Sequence, residues 1–65
     1  MKDAKCYGVW GIPYFRTEEG DTYSVASRPN ALPMVFYWGN VLTGETYKRP
    51  KILSEDEAQE INFIY

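Results

Sequence analysis

The sequence predicts an α+β domain: a small antiparallel sheet of four or five strands, made of two β-hairpins plus an amino-terminal strand, with one carboxy-terminal helix packed on it. Three observations lead there. Gly20-Asp21-Thr22-Tyr23 and Gly44-Glu45-Thr46-Tyr47 write nearly one phrase twice, 24 positions apart, each after a short polar stretch that follows an aromatic-rich run. A glycine closing a type I turn takes positive φ, and the acidic, β-branched and aromatic residues after it suit a returning strand. The runs before the two phrases are themselves rich in strand formers, and after Pro50 the spacing changes from period two to helical. With 65 residues there is room for one domain, residues 1–65, and no second.

The run from Lys5 to Thr17 is broken by Gly8, Gly11 and Pro13. Proline lacks the amide proton a central ladder needs, so two short strands joined at Gly11 to Pro13 fit better than one bulged edge strand. If Glu18-Glu19-Gly20 is a three-residue loop, Thr17 faces Asp21, Arg16 faces Thr22 and Phe15 faces Tyr23. Phe15, Tyr23 and Val25 then share the core face, and Tyr14, Arg16, Thr22 and Ser24 look the other way. Ser27 to Pro33, with two prolines and an asparagine, reads as a crossover between the hairpins.

A second hairpin climbs from Met34 through Val35, Phe36, Tyr37, Trp38, Gly39 and Asn40, turns over Leu42-Thr43-Gly44 and descends from Glu45 to Lys48. With that loop Gly39 faces Tyr47, whose ring can cover the glycine gap, and Trp38 faces Lys48 in a cation–π pair. Ser54 followed by Glu57 is a capping box, and Leu53 can staple onto Ala58. Glu55, Asp56 and Glu57 suit the positive end of the helix dipole. Ala58, Ile61 and Tyr65, with Ile64 beside them, form an apolar stripe on a helix of some ten residues, too short to persist without the sheet or a partner beneath it.

A chain this short buries only about 60% of the surface its unfolded form exposes, so its core must be efficient. Six Tyr, three Phe and two Trp supply it, each ring burying about 150–250 Å². The single cysteine, Cys6, excludes an internal disulfide and reads as a strand residue. No apolar stretch of signal-peptide length follows Met1 to Lys5, and nowhere do about 18 apolar residues run together. A cytoplasmic protein without a membrane partner is expected. The net charge of −2 predicts neither attraction to a polyanion nor the field of a nucleic-acid mimic.

Histidine is absent, which excludes histidine-based nucleophile activation and ordinary zinc sites. No phosphate-loop pattern is present. Glu18, Glu19 and Asp21 cluster in a turn, and Glu55, Asp56, Glu57 and Glu60 in a helix start, as solvated surface rather than a carboxylate pair flanking a cleft. No enzymatic activity, no cofactor and no metal are therefore expected.

Phe36 to Pro50 resembles the second half of a WW domain, in which tyrosines lead into Asn40, then Thr43-Gly44-Glu45-Thr46, an aromatic residue and a proline. Tyr47 stands where that family keeps a tryptophan, the proline comes one residue early, and no Leu-Pro-x-Gly-Trp opening precedes the hairpin, since Leu32-Pro33 is followed by Met34. The likeness covers a shared hairpin grammar and implies no proline-peptide binding.

The run Phe36-Tyr37-Trp38 bears most on function. Alternate strand residues point to opposite faces, so Phe36 and Trp38 cannot share a side with Tyr37. One helix covers one face; the other is either left open or covered by the amino-terminal strands. Tyrosine and tryptophan at a surface anchor protein contacts. The expected function is a non-enzymatic protein-binding module, an inhibitor or modulator of the kind viruses also encode, occupying a larger protein's surface through an aromatic sheet face or edge. Its candidate partner-binding residues are Tyr14, Tyr37, Trp38, Tyr47, Lys48 and Arg49. The alternative is a single-stranded nucleic-acid binder stacking bases on Trp38, Tyr37 and Tyr47 beside Lys48, Arg49 and Lys51. A third expectation is a homodimer formed through the helix stripe or an open edge.

Overall fold

The computed structural model describes residues 1–8, 13–26, 29–31 and 33–65. The elements run β1 (Lys2–Tyr7), β2 (Tyr14–Arg16), β3 (Asp21–Ala26), β4 (Met34–Asn40), β5 (Glu45–Ile52), α1 (Glu55–Gln59) and β6 (Ile61–Ile64). They form one six-stranded sheet in the order β5-β4-β3-β2-β1-β6. The sheet is mixed: β6 lies parallel to β1, and every other pairing is antiparallel. The run from Lys5 to Thr17 does divide into two strands; the expected joint at Gly11 to Pro13 and part of the Ser27 to Pro33 crossover lie outside the described residues.

The first hairpin has the register its loop dictates. Phe15 pairs Tyr23 and Arg16 pairs Thr22. The Thr17 amide donates to the Asp21 carbonyl at 3.0 Å, and the Asp21 amide donates to Thr17 Oγ1 at 3.1 Å. These bonds satisfy Thr17, the one buried polar residue among those described. Gly20 closes the loop at φ +95.

The second hairpin departs from expectation. Asn40 pairs Glu45 and Gly39 pairs Thr46, so Val41 belongs to the turn and Gly39 does not face Tyr47. The cause is tertiary. The Val41 amide donates across to the Gly20 carbonyl at 3.0 Å, and Asn40 Oδ1 accepts from the Leu42 and Thr43 amides at 2.9 and 3.0 Å. That Asx-type cap closes a four-residue turn, Val41 to Gly44, in place of a three-residue one. Beyond Gly39 the register shifts until Tyr37 meets Lys51, so Tyr47 to Pro50 bulge opposite Trp38. Pro50 is tolerated because β5 is an edge strand.

Helix onset is at Ser54, whose Oγ accepts the Glu57 amide and donates to Glu57 Oε1, both at 3.3 Å. The helix is five residues long rather than ten. From Ile61 the chain reads Ile-Asn-Phe-Ile, β-branched and aromatic apart from one asparagine, and the free edge of β1 receives it. The Lys2 amide donates to the Glu60 carbonyl at 2.9 Å where the helix gives way to strand.

The buried core is Ala4, Phe15, Tyr23, Val35 and Ile61, with Val25, Tyr37, Leu53, Ala58 and Phe63 half-buried against it. Phe15, 1% exposed, is its centre, with Phe63 edge-on at 4.9 Å and Tyr65 at 5.1 Å. Leu53 and Ala58 bring the helix onto this same face. Full burial of a ring such as Phe15 is worth about 2–3 kcal/mol over exposure, so rings carry much of the stability of so small a core.

Candidate functional site

Strand alternation and register place a second set of side chains on the face opposite the helix. On β1 and β2, Lys5 pairs Arg16 and Tyr7 pairs Tyr14. On β3 and β4, Ser24 pairs Phe36 and Ala26 pairs Met34. Because Phe15, Tyr23 and Val35 point into the core, these neighbours point away from it. The amino-terminal strands therefore widen this face instead of covering it.

The rings here are ordered by specific contacts. Tyr7 and Tyr14 stack with centroids 6.0 Å apart at 22°. The Arg16 guanidinium lies over the Tyr14 ring, 5.2 Å from its centroid, and Arg16 Nε donates to Thr22 Oγ1 at 3.3 Å. Trp38 is the extra residue where the β3–β4 register slips between Thr22 and Tyr23. Its Nε1 donates to Ser24 Oγ at 2.7 Å, which fixes the indole on this face. A bulge re-aims a side chain in this way while the flanking strand stays paired. The result is a band of aromatic rings across the sheet, Tyr7 and Tyr14 on one side and Phe36 and Trp38 on the other, with the half-buried Arg16 beside it.

The six candidate residues do not share one surface. Tyr14 and Trp38 lie on the open face. Tyr37 lies on the core face, 5.3 Å from Tyr23, and its hydroxyl donates to Asp21 Oδ1 at 2.9 Å. Tyr47, 45% exposed, packs edge-on to Tyr37 at 6.0 Å on that same side. Lys48 and Arg49 lie exposed on the bulged edge strand β5. Among the described residues the cation–π contact is Arg16 over Tyr14 and not the expected Lys48–Trp38, since Lys48 falls in the bulge and has no register partner on β4. Tyr7, Arg16 and Phe36, not among the candidates, complete the open face. Alternation from Phe15 already put Arg16 on the outer side, whereas the pairing that brings Tyr7 to Tyr14 is a strand-order fact.

The core-face tyrosines titrate high. Burial pushes Tyr23 up to about 12, with help from the charges of Asp21, Glu19 and Glu57. Burial and the hydrogen bond donated to Asp21 push Tyr37 up to about 12. Asp21 also accepts from Asn40 Nδ2 at 3.0 Å and meets Lys2 Nζ at 3.7 Å. Asp21 thus ties the two hairpins and β1 together, which gives Tyr37 a structural position.

Compared with family models, curated proteins and solved structures, the chain matches none. No helix among the described residues is long and apolar enough to cross a membrane.

Proposed function

We propose that this chain is a non-enzymatic protein-binding module that seats its open aromatic sheet face on a larger protein, acting as an inhibitor or modulator of that partner. The observation that carries the reading is the pairing of one helix-covered face with a second face bearing Tyr7, Tyr14, Phe36 and Trp38, with Arg16 beside them over Tyr14. Tyrosine, tryptophan and arginine are the residue types that dominate interface energetics, and rings held by strand pairing lose little entropy on docking. Tyr14→Ala and Trp38→Ala, separately and together, test it. Each is expected to weaken capture of a specific partner while the far-ultraviolet circular dichroism stays native. Undiminished capture by the folded double variant refutes the reading.

One observation favours a second reading. Lys5 and Arg16 flank the stacked tyrosines, while Glu55, Asp56, Glu57 and Glu60 belong to the helix side. Rings beside cations suit a single-stranded nucleic acid. That reading uses Tyr14 and Trp38 with Arg16, not Tyr37, because one strand cannot stack on both faces of a sheet. It predicts affinity that falls steeply with salt, and failure to bind an oligonucleotide at low salt disposes of it.

A further inference from the structure

The two edges of the sheet are built differently. β5 carries Lys48, Arg49, Pro50 and Lys51 and an irregular register, the devices by which proteins discourage strand addition. β6, at the opposite edge, reads Ile61-Asn62-Phe63-Ile64, with no charge and no proline. We infer that β6 is a self-association edge, on which two copies of this chain pair antiparallel about a two-fold axis and join their sheets into one.

The hydrogen-bond phase of β6 supports this. The Lys2 amide donates to the Glu60 carbonyl, and Lys2 is the register partner of Ile61. In a parallel ladder that phase turns the main chain of Glu60, Asn62 and Ile64 toward β1 and leaves the amides and carbonyls of Ile61 and Phe63 pointing outward. Among the described residues no strand lies beyond them. A two-fold centred on Phe63 makes Phe63 face its own copy, exchanging both N–H···O bonds, and sets Ile61 opposite the partner's Tyr65. Tyr65 is 86% exposed although it touches Phe15. The pairing covers its ring and continues the Phe15–Phe63–Tyr65 cluster into the second copy. On the other face Ile64, 40% exposed, meets the partner's Asn62.

The β6 edge suits a second copy better than a foreign strand. An isologous contact requires a self-complementary patch, and this one sets Phe63 against its own copy and Ile61 against Tyr65, apolar on apolar, with no like charges facing. It also enlarges a core that numbers five buried apolar residues among those described, and added apolar burial is what a domain of this size needs. The inference is independent of the open aromatic face, which the pairing leaves free.

The test uses the full chain. Sedimentation over a wide concentration range is expected to show a dimer that dissociates on dilution, and amide exchange by NMR is expected to show Phe63 protected only where the dimer forms. Asn62→Lys with Ile64→Lys places lysines opposite one another across the two-fold, on exposed and half-exposed positions. The double variant is expected to stay monomeric with native circular dichroism. Tyr14→Ala/Trp38→Ala is expected to dimerise as the wild type does. A monomer at every concentration overturns the inference. So does a dimer whose Phe63 amide exchanges freely, or one that the paired lysines leave intact. Wild-type exchange at Phe63 decides the matter by itself should the lysine variant fail to fold.

Discussion

Gly39 is the position where the β4–β5 geometry is most exposed to a single substitution, and Gly44, five residues on, is its internal control. Both have positive φ, +106 and +82. An alanine at either therefore pays the backbone cost of that region, about 1–2 kcal/mol. A Cβ at Gly44 meets nothing within 4 Å. At Gly39 it runs into the Glu45 carbonyl oxygen and lies 2.8 Å from Thr46 Cα and 3.0 Å from the Glu45 carbonyl carbon, all main chain. Restoring ordinary contact at about 3.5 Å separates the strands by about 0.7 Å for Thr46 Cα alone, and by more for the overlapping Glu45 carbonyl oxygen. That movement weakens the Gly39–Thr46 and Asn40–Glu45 pairings, at about 0.5–1.5 kcal/mol per hydrogen bond. Gly39→Ala should cost about 3 kcal/mol or more, against a total stability of roughly 3–10 kcal/mol for a chain this size. Gly44→Ala should cost about 1–2 kcal/mol. At about 4–8 °C per kcal/mol, thermal melts by circular dichroism separate the two clearly. Equal losses of Tm would refute the register described for this hairpin.

Three further outcomes follow from the same contacts. Tyr23 and Tyr37, raised from 10.0 to about 12, lend stability that is fully present below pH 10 and is lost as pH rises through about 12. In alkaline melts, Tyr37→Phe should show a shallower loss over that window than the wild type, and an unchanged slope would argue against the Tyr37–Asp21 bond. Asn40→Ala removes bonds to Glu19, Asp21, Leu42 and Thr43 that lock the hairpin tips together, and should cost about 1–3 kcal/mol in urea unfolding. Ser54→Ala should cost about 0.5–1 kcal/mol by loss of the cap, read in the same assay.

What the sequence conveyed follows from which interactions are local. The Thr17–Asp21 loop is set by Gly20 and the residues beside it, so the Phe15–Tyr23 register was legible. The Val41–Gly44 turn depends on a bond from Val41 to the other hairpin and on the Asn40 side chain, neither of which shows in local pattern. The repeated phrase thus serves two different turns, and its tyrosines end up unlike: Tyr23 is core, Tyr47 surface. The last strand was hidden by a coincidence of periods. Ala58, Ile61 and Tyr65 fit a helix stripe, while Ile61, Phe63 and Tyr65 fit a strand face equally well, and only the open edge of β1 decides between them. At the candidate site, alternation from Phe15 and along Phe36-Tyr37-Trp38 separated Tyr14 and Trp38 from the core. It also put Tyr37 on the opposite side from Trp38, while the bulge that frees Trp38 to reach Ser24 depends on cross-strand pairing.

The most direct test of the proposed binding face is a quantitative comparison of partner capture by tagged wild-type protein, Tyr14→Ala/Trp38→Ala and Tyr47→Ala, at low and high salt and with nuclease. The expected result is a stoichiometric protein partner that survives salt and nuclease, is retained by Tyr47→Ala and is lost from the folded double variant. Retention by the double variant, or recovery that vanishes with nuclease, contradicts a protein-binding role for the open face.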